Sequence, residues 1–201
     1  MIEIGVIFDF NGTMFFDSNK HEEAWQLYVE ELTGKTISGA DIRDYIHGRN
    51  AADILEHFIG GKMSKEMVMQ FSEEKESIYR RLCREDKKKL TLAPGLREFL
   101  DYLLEVKVPI GIATAANKAN MLLYFDVFGL DYWFDFDNVA YDDGTLRGKP
   151  YPDIYSKACK LLKVTPNRCI VFEDAYVGLQ SAKAAGVENI VAVVGDSDRE
   201  D

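Results

Sequence analysis

Ile4-Gly5-Val6-Ile7-Phe8-Asp9-Phe10-Asn11-Gly12-Thr13 is the stretch on which the reading of this chain turns. A short apolar run rich in Ile, Val and Phe, closed by an Asn-Gly turn, has the pattern of a buried strand and puts Asp9 at its carboxyl end. In parallel α/β sheets that edge is where ligands bind. Taken alone, Asp9 could equally cap the strand and Asn11-Gly12 merely turn the chain, so the rest of the sequence has to decide.

After Thr13 the strand pattern stops and helical periodicity takes over. Trp25, Tyr28, Val29 and Leu32 recur at helical spacing among glutamates, predicting an amphipathic helix over about 19–32 that Gly34 ends. Ser38, Asn50 and Ser64 are N-cap residues for three more helices, with the polar loop His47-Gly48-Arg49 before the second. The last of these presents Met67, Val68, Phe71, Ile78 and Leu82 on one face. His57, Arg80, Arg81, Arg84 and Lys87 to Lys89 read as solvated positions. From Pro94-Gly95 onward helices and strands alternate. Strands are expected at Val108–Ala113, Trp133–Phe136, Val139–Tyr141, Cys169–Phe172 and Ile190–Val194, with helices led by Asn117 and Pro152 and another through Leu179 and Ala182. Alternation of this kind implies a parallel sheet with right-handed crossovers. The expected architecture is a three-layer α/β/α parallel sheet, Rossmann-like, from residues 1–14 and 89–201, with a helical cap inserted over 15–88.

At 201 residues and 47% hydrophobic the chain has the composition of a globular protein, and no apolar run reaches the ~18 residues of a membrane span. Its net charge of -10 argues against nucleic-acid or anionic-membrane partners, which need a positive surface. Cys83, Cys159 and Cys169 show no metal-binding or disulfide spacing, and the N-terminus lacks the basic start of a signal peptide. A cytoplasmic protein, monomeric and acting on a small molecule, is the expectation.

The polar residues at the strand ends converge. Asp9 ends one strand, Thr114 another, Glu173 and Asp174 a third, and Lys149 precedes the helix leading to that third strand. Each acid alone could solvate or cap, but three carboxylates gathered at one sheet edge repel and call for a hard cation. Mg²⁺ takes oxygen ligands and bridges carboxylates to phosphate oxygens. Lys149 adds a positive charge and Thr114 a hydroxyl donor. The loop Ala115-Ala116-Asn117 leads into a helix start that can face an anion. Asp9 is then placed to attack phosphorus.

The sequence resembles the haloacid dehalogenase-like hydrolases, in the branch with a helical cap that holds β-phosphoglucomutases and small-metabolite phosphatases. Asp9-Phe10-Asn11-Gly12-Thr13 matches the first family motif, Thr114 the second, Lys149 in Gly148-Lys149-Pro150-Tyr151-Pro152-Asp153 the third, and Glu173-Asp174 the fourth. The resemblance implies Mg²⁺ as cofactor and a small phosphorylated metabolite as substrate, with an aspartyl-phosphate intermediate. It implies Asp9 as nucleophile and metal ligand, the Asn11 carbonyl and Asp174 as further ligands, and Glu173 holding metal-bound water. Thr114, Ala115, Asn117 and Lys149 would grip phosphate, while His21, His47 and Arg49 belong to the cap's substrate side. One departure stands out. Family phosphatases and mutases carry a second aspartate two residues after the nucleophile, and here that residue is Asn11, which cannot shuttle a proton; loss of such a general acid-base costs ~10²–10⁴-fold. Three explanations stay open: a slow or specialised phosphatase with another proton carrier such as His21, a phospho-ligand binder, or a substitution that traps the phosphoenzyme. A mutase is the alternative enzyme.

Overall fold

Strand β1 (Gly5–Phe8) leads directly into four helices, α1 (Ser18–Thr33), α2 (Gly39–Tyr45), α3 (Ala51–Ile59) and α4 (Lys65–Glu85). The remaining elements alternate: α5 (Leu96–Glu105), β2 (Ile110–Asn117), α6 (Lys118–Phe128), β3 (Val139–Asp142), α7 (Asp153–Leu162), β4 (Cys169–Glu173), α8 (Tyr176–Ala184) and β5 (Asn189–Ala192). These come from a computed structural model that describes residues 4–46 and 49–195. The chain divides into two units, Met1–Phe16 with Leu90–Asp201 and Asp17–Lys89.

The first unit is built on a five-stranded sheet in the order β3-β2-β1-β4-β5, with every neighbouring pair parallel. β1 is central and buried along its whole length, which is why its sequence shows a continuous apolar run rather than alternation. Side chains on one face of the sheet, Ile7, Ala113 and Val171, pack with Ile154, Tyr155 and Ala158 of α7 and Ala182 of α8. On the other face Phe8 stacks on Phe172 at 5.1 Å and meets Phe99 of α5 edge-on at 6.1 Å. Helices therefore cover both faces, giving the three-layer α/β/α architecture. The chain runs outward from β1 through β2 to β3, then returns to the other side for β4 and β5, so the order reverses between β1 and β4. A reversal of this kind opens a crevice at the carboxyl ends of the strands.

The second unit is helical. Ser38, Asn50 and Ser64 cap α2, α3 and α4, their side chains accepting the backbone N–H of Asp41, Asp53 and Met67. Trp25, Tyr28 and Val29 of α1 pack with Ile42, Ile54 and Leu55, and with Val68, Phe71 and Ile78 of α4.

Three local expectations are corrected. Trp133 to Phe136 is not a strand. Trp133 and Phe134 donate back to the Leu130 carbonyl, and Phe136 begins a 3₁₀ turn, so the two buried aromatics fill the core from a turn. Met67 lies exposed at the start of α4 instead of sharing its buried face. Arg80, expected in solvent, is buried and paired with Glu73, while Arg81, Arg84 and Lys87 to Lys89 are exposed.

Candidate active site

The Asp9 backbone still belongs to the sheet, its N–H donating to the Phe172 carbonyl at 2.9 Å, but its carboxylate sits past the strand end. The chain then turns: the N–H groups of Met14 and Phe15 both donate to the Phe10 carbonyl, and Gly12 N–H to the Phe15 carbonyl. Gly12 has φ +79°, and a Cβ built there would lie 2.1 Å from Asp174 Oδ2. Only glycine permits both that backbone and that approach. The Thr13 hydroxyl donates to Asp174 Oδ1 at 3.1 Å, so the turn after β1 and the end of β4 are locked side by side.

Lys149 joins the same group. Its ammonium lies 2.6 Å from both Asp9 Oδ1 and Glu173 Oε2. Glu173, fully buried, is held from three directions: by Lys149, by the Tyr155 hydroxyl, and by Ala175 N–H at 3.1 Å on Oε1. Gly178, in the first turn of α8, leaves room for it, since a Cβ there would fall 2.0 Å from Glu173 Cδ. Donors from β4's own turn, from α7 and from the Lys149 loop thus fix this carboxylate.

Ligand oxygens of Asp9, Glu173 and Asp174 lie within 4.8 Å of one another. Burial, reinforced by the charges of Glu173 and Asp174 and opposed by Lys149, pushes Asp9 up to about 8. Burial and Glu173 also raise Asp174, and Lys149 is raised by Asp9 and Glu173 in spite of its burial. Three carboxylates balanced by one ammonium leave surplus negative charge, with Asp9 and Glu173 buried and Asp174 exposed at the edge. An all-oxygen donor set with surplus charge fits a hard divalent cation such as Mg²⁺.

On the other side of β1, strand β2 leaves the regular ladder. Ala113 pairs with Ala140 and Asn117 with Asp142, so Thr114 to Ala116 bulge out where the site begins. Thr114 is buried, and its Oγ1 accepts Ala116 N–H at 3.0 Å. Asn117 caps α6, accepting Asn120 N–H at 2.9 Å. Thr114, Ala115 and Lys149 line one small cavity of about 40 Å³.

Asn11 is anchored rather than loose. Its Nδ2 donates to the Tyr124 hydroxyl at 2.8 Å, and Tyr124 is buried and stacked on Phe10 with ring centroids 4.3 Å apart.

Thus Asp9, Lys149, Glu173 and Asp174 come together directly, Thr114 and Ala115 share a cavity with Lys149, and Asn11 follows on the turn. His21 and Arg49 lie in the helical unit, Arg49 exposed, and His47 lies outside the described residues. Within its unit His21 is tightly held: Nε2 is 3.2 Å from Asp17 Oδ2, Nδ1 is 3.1 Å from the Lys75 ammonium, and the ring stacks on Tyr79 at 4.0 Å. Because an ammonium can only donate, Nδ1 must accept and Nε2–H faces Asp17. A proton-carrying His21 has to break one of these contacts. Nothing in the sequence points to Gly178 or Tyr124, and little to Tyr155. The one available signal was that a tyrosine on the buried face of the helix after Lys149 needs a partner for its hydroxyl.

The family model for haloacid dehalogenase-like hydrolases matches residues 5–186. The chain belongs to the haloacid dehalogenase-like hydrolases. A phosphorylated carbohydrates phosphatase of Thermotoga maritima is 31% identical, the match covering 94% of this chain and 84% of that one. A β-phosphoglucomutase of Mycobacterium bovis is 26% identical over 94% and 79% of the two chains. The crystal structure of a family IA, variant 3 hydrolase from Entamoeba histolytica superposes with TM-score 0.87 at 34% identity, covering 94% of this chain and 84% of that one. This haloacid dehalogenase-like hydrolase is accordingly an enzyme.

Proposed function

We propose that this hydrolase is a Mg²⁺-dependent phosphatase of small phosphorylated sugars that works through an aspartyl-phosphate on Asp9. The observation that carries the reading is the Asp9 carboxylate at the end of the central strand, ion-paired to Lys149, with oxygens of Glu173 and Asp174 within 4.8 Å of its own. The name of the Thermotoga maritima relative supports the substrate class.

A bound Mg²⁺ would be held by Asp9 and Asp174, with Glu173 beside them, and would neutralise phosphate charge as it is transferred. Glu173 already accepts from three protein donors, so its part is to fix Lys149 and orient groups at the cation's edge. Lys149 and the Thr114 hydroxyl hold phosphate oxygens. The free Asp9 oxygen attacks phosphorus, the ester P–O bond breaks, and the sugar oxygen leaves and takes a proton. Water then attacks the phosphorus of the acyl phosphate, releasing inorganic phosphate and restoring Asp9. Asn11 can donate an N–H but cannot transfer a proton in either half, so proton transfer falls to water and turnover is slow. Arg49 and His21 are assigned to the substrate on sequence grounds alone.

Phosphate release from a panel of sugar phosphates, with Mg²⁺ and with a chelator, tests this reading. We expect slow Mg²⁺-dependent release by the chain, an increase of ~10²–10⁴-fold in Asn11→Asp, and none in Asp9→Ala. Silence from both the chain and Asn11→Asp would overturn it. The named activity of the Mycobacterium bovis relative favours one second reading, a sugar-phosphate mutase. An isomerised sugar phosphate in place of free phosphate would decide for it.

A further inference from the structure

Outside the phosphate site, one cluster of nucleophilic side chains has no part in the chemistry above. Cys159 near the end of α7 and Cys169 at the start of β4 are ten positions apart, both buried, with sulfurs 3.6 Å from each other. Cys169 Sγ is also 3.5 Å from the Thr165 carbonyl oxygen, which can only accept. The Cys169 proton is therefore committed to that carbonyl and the Cys159 proton to Cys169. Cys159 faces more than its partner: with Lys160, Lys163 and Thr165 it lines an open groove of about 430 Å³. The groove brings a small solute to the edge of Cys159, while Cys169, fully buried and not part of the lining, lies behind it.

We propose that Cys159 and Cys169 form a reversible, peroxide-sensitive dithiol–disulfide site in which Cys159 reacts first and Cys169 resolves. The proposal is independent of the phosphatase reading. In the first step the Cys159 thiolate attacks one oxygen of hydrogen peroxide. The O–O bond breaks, sulfur becomes a sulfenic acid, and the departing hydroxide takes up the thiol proton as water. In the second step the Cys169 sulfur attacks Cys159. The S–O bond breaks, the S–S bond forms, and the oxygen leaves with the Cys169 proton as a second water. Two thiols lose two electrons, and the peroxide gains them. Once Cys159 has lost its proton, the Cys169 S–H can turn from the carbonyl to the thiolate. That hydrogen bond lowers the Cys159 thiol below its ordinary range, while the same contact and burial raise Cys169. The order of reaction follows from the groove, which is lined by Cys159 and not by Cys169.

Cys83 is an internal control. It lies in α4, buried, and desolvation pushes its thiol up to about 11, so it has neither a second thiol nor an accessible thiolate. The test treats the folded full-length chain with dilute hydrogen peroxide, then denatures, alkylates and maps the peptides by mass. The expected result is loss of alkylation at Cys159 and Cys169 alone, a linked peptide lighter by two hydrogens, and full recovery with dithiothreitol. In Cys169→Ser the reaction should stop at a sulfenic acid on Cys159 that dimedone traps. In Cys159→Ser, Cys169 should stay a thiol. The proposal is overturned if all three cysteines remain alkylatable at peroxide levels that oxidise a free cysteine peptide, if Cys83 oxidises at the same rate, or if the disulfide joins two chains. The mapping of the unmodified sequence decides the matter even if a serine variant does not fold.

Discussion

Replacing Gly178 by alanine ought to reverse the ordinary sign of a glycine-to-alanine change in a helix. Within a helix such a change normally stabilises by roughly 0.5–1 kcal/mol, because alanine loses less backbone freedom. At Gly178 the new methyl would stand 2.0 Å from Glu173 Cδ, 2.1 Å from Oε2 and 2.4 Å from Oε1, so the carboxylate has to leave. It would take with it the hydrogen bonds from Lys149, Tyr155 and Ala175 N–H. Bonds to a charged group contribute ~1.5–3 kcal/mol each, and part is regained because Lys149 keeps Asp9 and the displaced carboxylate finds water. After subtracting the helix gain, we expect a net loss of ~2–4 kcal/mol together with most of the turnover. Urea unfolding followed by circular dichroism measures the first, and phosphate release the second. The decisive control is the same change in a Glu173→Ala background, where nothing is left to clash and alanine should be neutral or stabilising. A Gly178→Ala protein as stable and active as its parent would refute the packing argument.

Other expectations follow from the same geometry. Gly12→Ala should raise the Mg²⁺ concentration needed for half-maximal activity, since its methyl meets Asp174 at 2.1 Å and its backbone sits at φ +79°; metal titration of the activity checks this. Tyr155→Phe removes one donor to Glu173 but leaves Lys149 and Ala175, so it should cost ~1.5–3 kcal/mol in urea unfolding, less than Gly178→Ala with its threefold loss. In the helical unit, hydrogen bonds from Lys20 and Lys89 hold Asp86 down to about 2. A carboxyl depressed on folding stabilises above its unfolded value of about 4 and loses that contribution as pH falls toward about 2. Unfolding midpoints of the parent and Lys20→Met should therefore differ at neutral pH and converge in that acid window.

Asp9, Thr114, Glu173 and Asp174 could be placed from sequence because each stands at the end of a short apolar strand, and Lys149 because it precedes the helix that leads into the third of them; a parallel sheet brings strand ends to one edge. Ser38, Asn50, Ser64 and Asn117 were readable for a similar reason: a cap acts on a backbone N–H only a few residues away. What could not be read depends on approach across the fold. Gly178 is an unremarked helical glycine until Glu173 is seen beneath it, and Tyr155 is one more buried aromatic until its hydroxyl finds that carboxylate. Arg80 read as solvated because a charged run hides which member turns inward to a glutamate. Trp133 to Phe136 looked like a strand because two adjacent core aromatics give the same composition whether they arrive in a strand or in a turn. Asn11 was visible as a departure, whereas its anchor, Tyr124, lies 113 positions away.

The central place of β1 also bears on how the protein is made. Its residues emerge before either of its neighbours, Ile110–Ile112 on one side and Cys169–Phe172 on the other. An apolar strand must therefore wait through the synthesis of an entire helical unit before its first neighbour exists, and longer for its second. Pairings of such sequence separation form slowly and leave bare strand edges exposed meanwhile. The helical unit, complete once α4 has been made, can fold during that wait, while the cluster of Asp9, Lys149 and Glu173 can close only after β4 has left the ribosome.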